Sequence, residues 1–306
     1  MPSFTLAEPS AEPTAAAKAI EYLKTEGQSW MADQGCVSCH QIPAMVWSLG
    51  SAAGHGLDVS DEELSQWIGW STDAVNFVRP TQREGVDIDK TLAGNIDTMS
   101  ALMLAVPGQS DAPWRKQFAE KLCSEQAEDG SWKACGQLPA QKRPKLETTQ
   151  ATTLWVTLAL MRNGTNAFDA DAAIRFADEG PEAKSTEWYA VRLLVAAEQG
   201  SDQLDAHLQN LLRHQNTDGG WGWITGAKSD ALATGIALYA LGETGVAASA
   251  EIAKARQFLQ STQTDSGSWK VPGTKTSAKD KPTATANYWG TAWAVVGMLS
   301  TESQIP

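Results

Sequence analysis

Two cysteines and a histidine near the N-terminus have the spacing of a site that binds a prosthetic group. Cys36 and Cys39 are separated by two residues, and His40 follows at once. Two thiols placed in this way can add across the two vinyl groups of a porphyrin, and the adjoining imidazole is then held at the iron. The pattern C-x-x-C-H therefore predicts one covalent haem c, attached through Cys36 and Cys39, with His40 as the proximal iron ligand.

Other uses of this cysteine pair require partners elsewhere in the chain. A zinc site needs a second pair of ligands, and the remaining cysteines, Cys123 and Cys135, are twelve residues apart with no partner histidine. A thioredoxin-like redox pair needs a βαβ context, which the helical pattern described below does not provide. A structural cysteine pair without haem stays open as an alternative.

Cys123 and Cys135 lie on either side of Trp132, and two interpretations of them remain open. In an oxidising compartment they would form a disulfide that closes a short loop, and otherwise they would be two buried free thiols. Haem attachment and the disulfide both favour a compartment outside the cytoplasm. We therefore predict a periplasmic or other extracytoplasmic location, with Cys123 bonded to Cys135.

The composition excludes several classes of protein. The 306 residues include 36 acidic and 24 basic side chains, so the net charge is -12 and an anionic nucleic acid or membrane surface would repel the chain. No run of eighteen apolar residues is present that could span a bilayer. Residues 1–14 are rich in Pro, Ala, Ser and Glu, which predicts a disordered lead-in from which any export signal has been removed.

Tryptophan is unusually frequent, with 13 Trp against 4 Tyr and 6 Phe, and several of these residues belong to a repeat. Three segments share the spacing Gln, three residues, Gly, one residue, Trp: residues 126–132, 215–221 and 263–269. Residues 18–30 are a degenerate copy of the sequence around the last of them. A repeat of this kind indicates that one structural unit recurs along the chain.

The hydrophobic pattern predicts six amphipathic helices that alternate with six helices that are apolar on nearly all sides. Helices of the second kind fit buried positions. The predicted apolar helices are residues 42–49, 96–105, 147–161, 188–197, 229–241 and 286–299. Three amphipathic helices end at the glutamines of the motifs, and the others are predicted at residues 15–24, 62–78 and 169–178.

The repeat resembles the QW motif of squalene–hopene cyclases and protein prenyltransferase β subunits, most clearly over roughly residues 115–300. The resemblance implies an all-α fold, an (α/α)6 toroid over residues 15–306 in which outer helices surround inner ones. The resemblance does not imply that this chain has the activity of either family. The D-x-D-D proton donor of the cyclases is absent, because Asp87-x-Asp89 and Asp169-x-Asp171 are sparser, and no inner helix of the clear repeats offers the zinc ligands of the prenyltransferases.

In such a toroid the C-x-x-C-H segment precedes the first inner helix, so the iron would lie at the end where the inner helices begin. Met99, near the start of the second inner helix, is the predicted sixth ligand, with Met31 and Met103 in reserve. Ordinary core packing is the alternative for each methionine. If the sixth position is open, aromatic side chains such as Trp188 and Tyr288 would line the haem pocket, unless they too belong to the core.

Two segments that follow QW motifs carry a concentration of positive charge. Residues 133–147 and 270–285 together hold eight basic and two acidic side chains. At the haem end of the toroid they would form a Lys-rich rim that attracts a redox partner protein or a small anionic ligand. Ordinary solvated lysines in surface loops are the alternative.

These features predict an extracytoplasmic monohaem c-type cytochrome that transfers electrons at the haem end. A haem enzyme or ligand-binding haem protein with an open iron site facing the toroid cavity is the first alternative, and a haem-free, cyclase-like binding module is the second. The inner helices carry four carboxylates, all near helix N-termini, where a carboxylate is favourable as a cap. They are Asp97, Glu147, Glu187 and Asp230, and no acid–base site is predicted from them.

Overall fold

A computed structural model describes residues 14–37, 41–108, 111–136 and 138–302. Thirteen α-helices lie in these ranges, joined by turns, short 3₁₀ helices and isolated β-bridges. The helices are α1 (Ala15–Gln34), α2 (Ile42–Gly54), α3 (Asp61–Thr72), α4 (Ile88–Ala93), α5 (Ile96–Ala105), α6 (Pro113–Ser124), α7 (Lys145–Arg162), α8 (Ala170–Asp178), α9 (Thr186–Glu198), α10 (Leu204–Leu212), α11 (Ala231–Thr244), α12 (Ser249–Thr262) and α13 (Ala284–Ser300). The 3₁₀ helices are Ala74–Phe77, Pro80–Gln82, Leu138–Ala140 and Thr276–Ala278. No helix in the described ranges is long and apolar enough to cross a membrane.

Six of the helices form a closed inner ring. Each of α2, α5, α7, α9, α11 and α13 contacts the next, and α13 contacts α2 again. These helices are buried on most sides; in α11 every residue from Ala231 to Leu241 is buried. Apolar side chains on all sides of a helix require neighbours on all sides, and a position inside a second ring provides them.

Six outer helices surround the inner ring. Each of α3, α6, α8, α10 and α12 packs on the inner helix that precedes it in the chain, and α1 packs on α13. The first helix thus packs on the last one, and α1 also contacts α2. The predicted all-α, (α/α)6 toroid is confirmed. Residues 1–13, most of the predicted lead-in, lie outside the described ranges.

The three QW motifs fasten outer helices to inner ones. In each motif the tryptophan is buried, its indole Nε1 donates to a carbonyl of the preceding outer helix, and its backbone N–H donates to a threonine of the following inner helix. The indole bonds are Trp132 to Leu122 (2.7 Å), Trp221 to Leu211 (3.0 Å) and Trp269 to Leu259 (2.9 Å). The tryptophan excess therefore has a structural cause.

The glutamine and glycine of each motif connect one repeat to the next. Gln263 Nε2 donates to the carbonyl of Gly267 within its own motif and to the carbonyl of Ala15, at the start of α1. Gly267 has a φ of +79°, and a Cβ atom there would lie 2.0 Å from the carbonyl oxygen of Lys18. The last motif therefore joins the end of the chain to its first helix and closes the outer ring.

The region between α3 and α5 differs from the prediction. The helix predicted over residues 62–78 ends at Thr72, because the Asp73 side chain accepts a hydrogen bond from Val75 N–H and starts a 3₁₀ helix instead. The short helix α4 was not predicted. Asp87 caps α4, and Asp169 caps α8 in the same way, so both Asp-x-Asp segments begin helices.

Candidate functional site

The inner ring encloses a pocket at the end where the inner helices begin. Four tryptophans form much of its wall, and part of it is open to solvent. Most of the remaining lining is aliphatic, and the polar residues are Asp97, Ser100 and Glu187. The full lining is Pro43, Ala44, Trp47, Asp97, Ser100, Ala101, Leu138, Trp155, Glu187, Trp289, Ala292, Trp293 and Val296. We call this the central pocket.

Aromatic rings from four inner helices pack against one another beside the central pocket. The Trp47 ring centroid lies 5.0 Å from that of Trp293, 5.3 Å from that of Tyr239 and 6.0 Å from that of Trp155. Edge and tilted contacts of this kind fix the orientation of each ring. The pocket therefore has a preformed aromatic wall.

Asp97 lies in the first turn of α5, and its carboxylate bonds to other elements. Oδ1 accepts the hydroxyl proton of Thr152 at 2.6 Å, and Oδ2 accepts the backbone N–H of Cys135 at 3.1 Å. Burial raises the pKa of Asp97 to about 6, against the lowering effect of these two hydrogen bonds, and the negative charge of Glu187 adds to the increase. Asp97 is therefore an acid that exchanges its proton near neutral pH.

Glu187, in the first turn of α9, is held by an ion pair. Its Oε2 lies 2.5 Å from Arg143, and its Oε1 accepts the indole N–H of Trp155 at 2.9 Å. The side chains of Arg143 and Glu187 are only 2% and 9% exposed. Arg143 also donates to the Ser185 hydroxyl and lies over the Trp223 ring, 5.3 Å from its centroid. The guanidinium therefore compensates a carboxylate that is shielded from water.

The two other carboxylates at the starts of inner helices have structural roles. Glu147 accepts the backbone N–H groups of Lys184 and Ser185. Asp230 caps α11 and accepts the N–H of Trp223, while burial raises its pKa to about 6. Neither lines the central pocket.

Interpreting Asp97 and Glu187 as plain helix caps is therefore wrong. Their oxygens bind side chains and backbone of other elements, and both residues face one pocket. The sequence does contain a signal for this pair. First turns of inner helices meet at one end of a toroid, so carboxylates in those turns converge even when they are far apart in the chain.

The haem motif is only partly within the described residues. Cys36 is half-buried and its carbonyl accepts the indole N–H of Trp30 at 2.8 Å. Cys39 and His40, the other attachment residue and the predicted iron ligand, lie outside the described ranges. The covalent haem c and the extracytoplasmic location rest on the sequence alone and stay predictions.

The residues predicted to surround the haem belong to three inner helices, α5, α9 and α13. Met99 is fully buried in the core. Tyr288 is also buried, and its hydroxyl donates to the carbonyl of Leu23 in α1. Trp188 lies in α9 with its ring against Tyr189. None of these three side chains lines the central pocket.

The predicted disulfide between Cys123 and Cys135 is wrong, because both residues carry free thiols. Cys123 lies on α6, whereas Cys135 lies beyond the buried Trp132, where its N–H is bound to Asp97. The Cys135 thiol contacts the carbonyl oxygens of Ala93 and Lys133 instead. The QW loop thus directs the second cysteine toward the start of α5.

The two basic segments lie against each other beside the pocket. The N–H of Lys142 donates to the carbonyl of Thr274, and its Nζ lies 2.6 Å from Asp280. Gln141 and Lys275 form an antiparallel bridge. Arg143 is buried in its ion pair with Glu187, so one of the charges assigned to the predicted rim faces the interior.

Comparison with known proteins gives a likeness in structure only. No protein-family model matches the chain, and no curated protein matches it. One solved structure with a similar course of the chain is that of a possible member of the GH105 family from Klebsiella pneumoniae. The likeness covers 95% of this chain and 81% of that one, at 13% sequence identity and a TM-score of 0.41.

The prediction of an electron-transfer cytochrome is wrong, and so are its haem-based alternatives. No group of three or more His, Cys, Asp and Glu residues that could hold a metal ion exists in the part of the chain that the structure describes. The proposed sixth ligand, Met99, is enclosed by the core. Among the described residues, side chains that could take part in a reaction come together in the central pocket.

Proposed function

We propose that the central pocket is the active site of an enzyme that protonates an apolar, unsaturated ligand, with Asp97 as the proton donor. One observation carries the proposal: Asp97 and Glu187 face the same tryptophan-lined pocket. An acid with a pKa of about 6 is present in both protonation states near neutral pH, which is what general acid catalysis requires. The scarcity of other polar groups in the lining favours an apolar ligand.

The proposed reaction begins when protonated Asp97 gives its proton to an alkene carbon of the ligand. A carbocation forms, and the aspartate is left as a carboxylate. The faces of Trp47, Trp155 and Trp293 attract positive charge through their ring quadrupoles. The cation then rearranges or closes a ring and returns one proton to Asp97, so that the net change is an isomerisation or cyclisation and the enzyme is restored.

Glu187 provides a fixed carboxylate in the proposed site, and Arg143 compensates part of its negative charge. The Arg143 ion pair and the Trp155 indole hold both of its oxygens, so it stabilises the cation electrostatically and does not move during the reaction. The QW resemblance supports an apolar substrate of isoprenoid character. The proton donor would differ from that of the cyclases, since Asp97 is a single acid and not part of a D-x-D-D motif.

The raised pKa of Asp97 can be tested without a substrate. Its pKa is about 6 in the folded chain and near 3.8 when exposed, so its contribution to stability is complete below pH 3.8 and is lost as the pH rises through about 6. Relative to Asp97→Asn, the wild-type free energy of unfolding should fall by about 2–3 kcal/mol between pH 4 and pH 7. Urea unfolding at several pH values measures this difference. The exposed Asp171→Asn on α8 serves as the control, and a wild-type curve parallel to that of Asp97→Asn would contradict the assignment.

The reaction can be tested by deuterium incorporation. Unsaturated isoprenoid alcohols and hydrocarbons are incubated with the protein in deuterium oxide, and products are detected by mass spectrometry. We expect incorporation that declines as the pH rises above about 6 and that falls about 10²- to 10⁴-fold in Asp97→Asn, the usual contribution of a general acid. Asp171→Asn should behave as wild type. Incorporation that is equal in both variants would rule out Asp97 as the donor.

A further inference from the structure

A second pocket adjoins the central pocket and differs from it in chemistry. It is lined by Leu138, Gln141, Gly273, Thr274, Lys275, Ser277, Ala278, Thr283, Thr285, Ala286 and Trp289. Leu138 and Trp289 belong to both pockets, so the two adjoin at these side chains. The second pocket carries hydroxyl and amide groups and the Lys275 side chain, whereas the central pocket carries aliphatic and aromatic groups and two carboxylates. We call it the outer pocket.

Gln141 gives the outer pocket an unused hydrogen-bond acceptor. The residue is 7% exposed, and its side-chain Oε1 is buried with no hydrogen-bond partner among the described residues. Buried polar atoms are nearly always paired, so an unpaired one in the lining of a pocket points to a partner supplied by a ligand. The last torsion of a glutamine side chain is broad, so the amide can rotate toward a hydroxyl group that enters the pocket.

The backbone around Gln141 is held in place by the neighbouring loop. Gln141 forms an antiparallel bridge with Lys275, and Lys142 N–H donates to the carbonyl of Thr274. The ion pair between Lys142 and Asp280 connects the same two loops. The acceptor therefore sits on a fixed support, which is a property of binding sites and not of loose surface loops.

The remaining lining identifies the kind of group that would fit. Ser277 and Thr285 are exposed, and each carries a hydroxyl that both donates and accepts. The indole of Trp289 offers an apolar ring beside them. Short hydroxyls, one amide, an aromatic ring and the Lys275 side chain suit a head group that carries several hydroxyls, such as a sugar or another polyol.

We propose that the outer pocket binds the hydroxylated head of an amphiphilic ligand whose apolar part occupies the central pocket. This inference rests on the proposed function and narrows its substrate class. The ligand would be an apolar chain or ring system that ends in a polyol, with a head-group hydroxyl donating to Gln141 Oε1. The Trp289 side chain would lie where the head joins the apolar part.

The experiment compares two probes with the same chain and different heads. Binding of n-octyl β-D-glucoside, below its micelle concentration, and of n-octyl methyl ether, which has no hydroxyl, is measured by calorimetry and tryptophan fluorescence. We expect Gln141→Leu to weaken glucoside binding about 5- to 20-fold, the effect of one lost hydrogen bond, and to leave ether binding within twofold. Thr285→Val, at an exposed position, should also weaken binding of the glucoside.

Gln209→Leu, a change of the same type on the surface of α10, is the control and should leave both probes unaffected. Glucoside binding that is absent, or that is the same in Gln141→Leu and Gln209→Leu, overturns the outer pocket as a head-group site. Ether binding tests separately whether an apolar chain enters the central pocket, because the ether requires only that pocket. A wild-type protein that binds the ether but shows no effect of Gln141 would retain the central site and lose this inference.

Discussion

Gly267→Ala is expected to destabilise the fold by about 2–5 kcal/mol, because the glycine lies where the last repeat meets the first helix. Its φ of +79° is unfavourable for alanine, which costs about 1–2 kcal/mol. The new Cβ would also lie 2.0 Å from the carbonyl oxygen of Lys18. The carbonyl belongs to the backbone of α1, and the backbone at residue 267 fixes the position of the Cβ, so neither atom can rotate away. Helix α1 must therefore shift, and overpacking of this kind adds about 1–3 kcal/mol.

Gly245→Ala is the matched control for this change. Gly245 has a φ of +62° at the end of α11, but a Cβ atom there would meet nothing within 4 Å. Only the backbone cost applies, so the loss should stay near 1–2 kcal/mol. Urea unfolding followed by tryptophan fluorescence and circular dichroism compares the two variants. Equal losses would show that the contact between Gly267 and Lys18 does not hold the ring together.

Much of this architecture could be predicted from the sequence, because its two signals are local. The spacing of Gln, Gly and Trp marks each junction between repeats, and an apolar helix such as Ile96–Ala105 can be stable only inside a ring of others. The predicted bounds of that helix agree with the structure. The repeat indicates that the last unit should meet the first helix, but no local sequence pattern indicates the contact between Gly267 and Lys18.

The region around Thr72 could not be predicted in the same way. The apolar period continues from α3 into residues 74–77, so periodicity alone extends the helix to Val78. The break depends on the Asp73 side chain, which accepts from Val75 N–H. Aspartate forms such caps only when the chain direction allows it, and that direction is set by packing of the neighbouring helices.

The candidate site was hidden by a different effect. Asp97 and Glu187 are ninety residues apart, and a carboxylate in a first helical turn is favourable whether or not it has chemistry to perform. Asp97 and Glu187 differ from Glu147 and Asp230 only because α5 and α9 bring them to the same pocket. The pair of Cys123 and Cys135 shows the reverse case, where a plausible spacing failed because Cys135 is bound to Asp97 through its N–H and contacts the carbonyl oxygens of Ala93 and Lys133 through its thiol.

Arg143→Met should destabilise the fold by about 3–5 kcal/mol, because it leaves the buried Glu187 without a compensating charge. Methionine keeps the apolar stem of the arginine. The double variant Arg143→Met with Glu187→Gln removes the charge as well, so it should recover a large part of the loss. Lys116→Met is the control, because it breaks an ion pair whose side chains are 77% and 69% exposed and should cost less than about 0.5 kcal/mol.

The same variants connect the ion pair to the proton donor. The negative charge of Glu187 raises the pKa of Asp97, so Glu187→Gln should move the decline of deuterium incorporation to lower pH. Arg143→Met exposes Asp97 to a less compensated carboxylate and should move the decline to higher pH. Opposite shifts in the two variants would show that Arg143 and Glu187 set the protonation of Asp97 electrostatically. Identical pH profiles in wild type and both variants would show that the ion pair holds α9 against the segment before α7 and does not affect the protonation of Asp97.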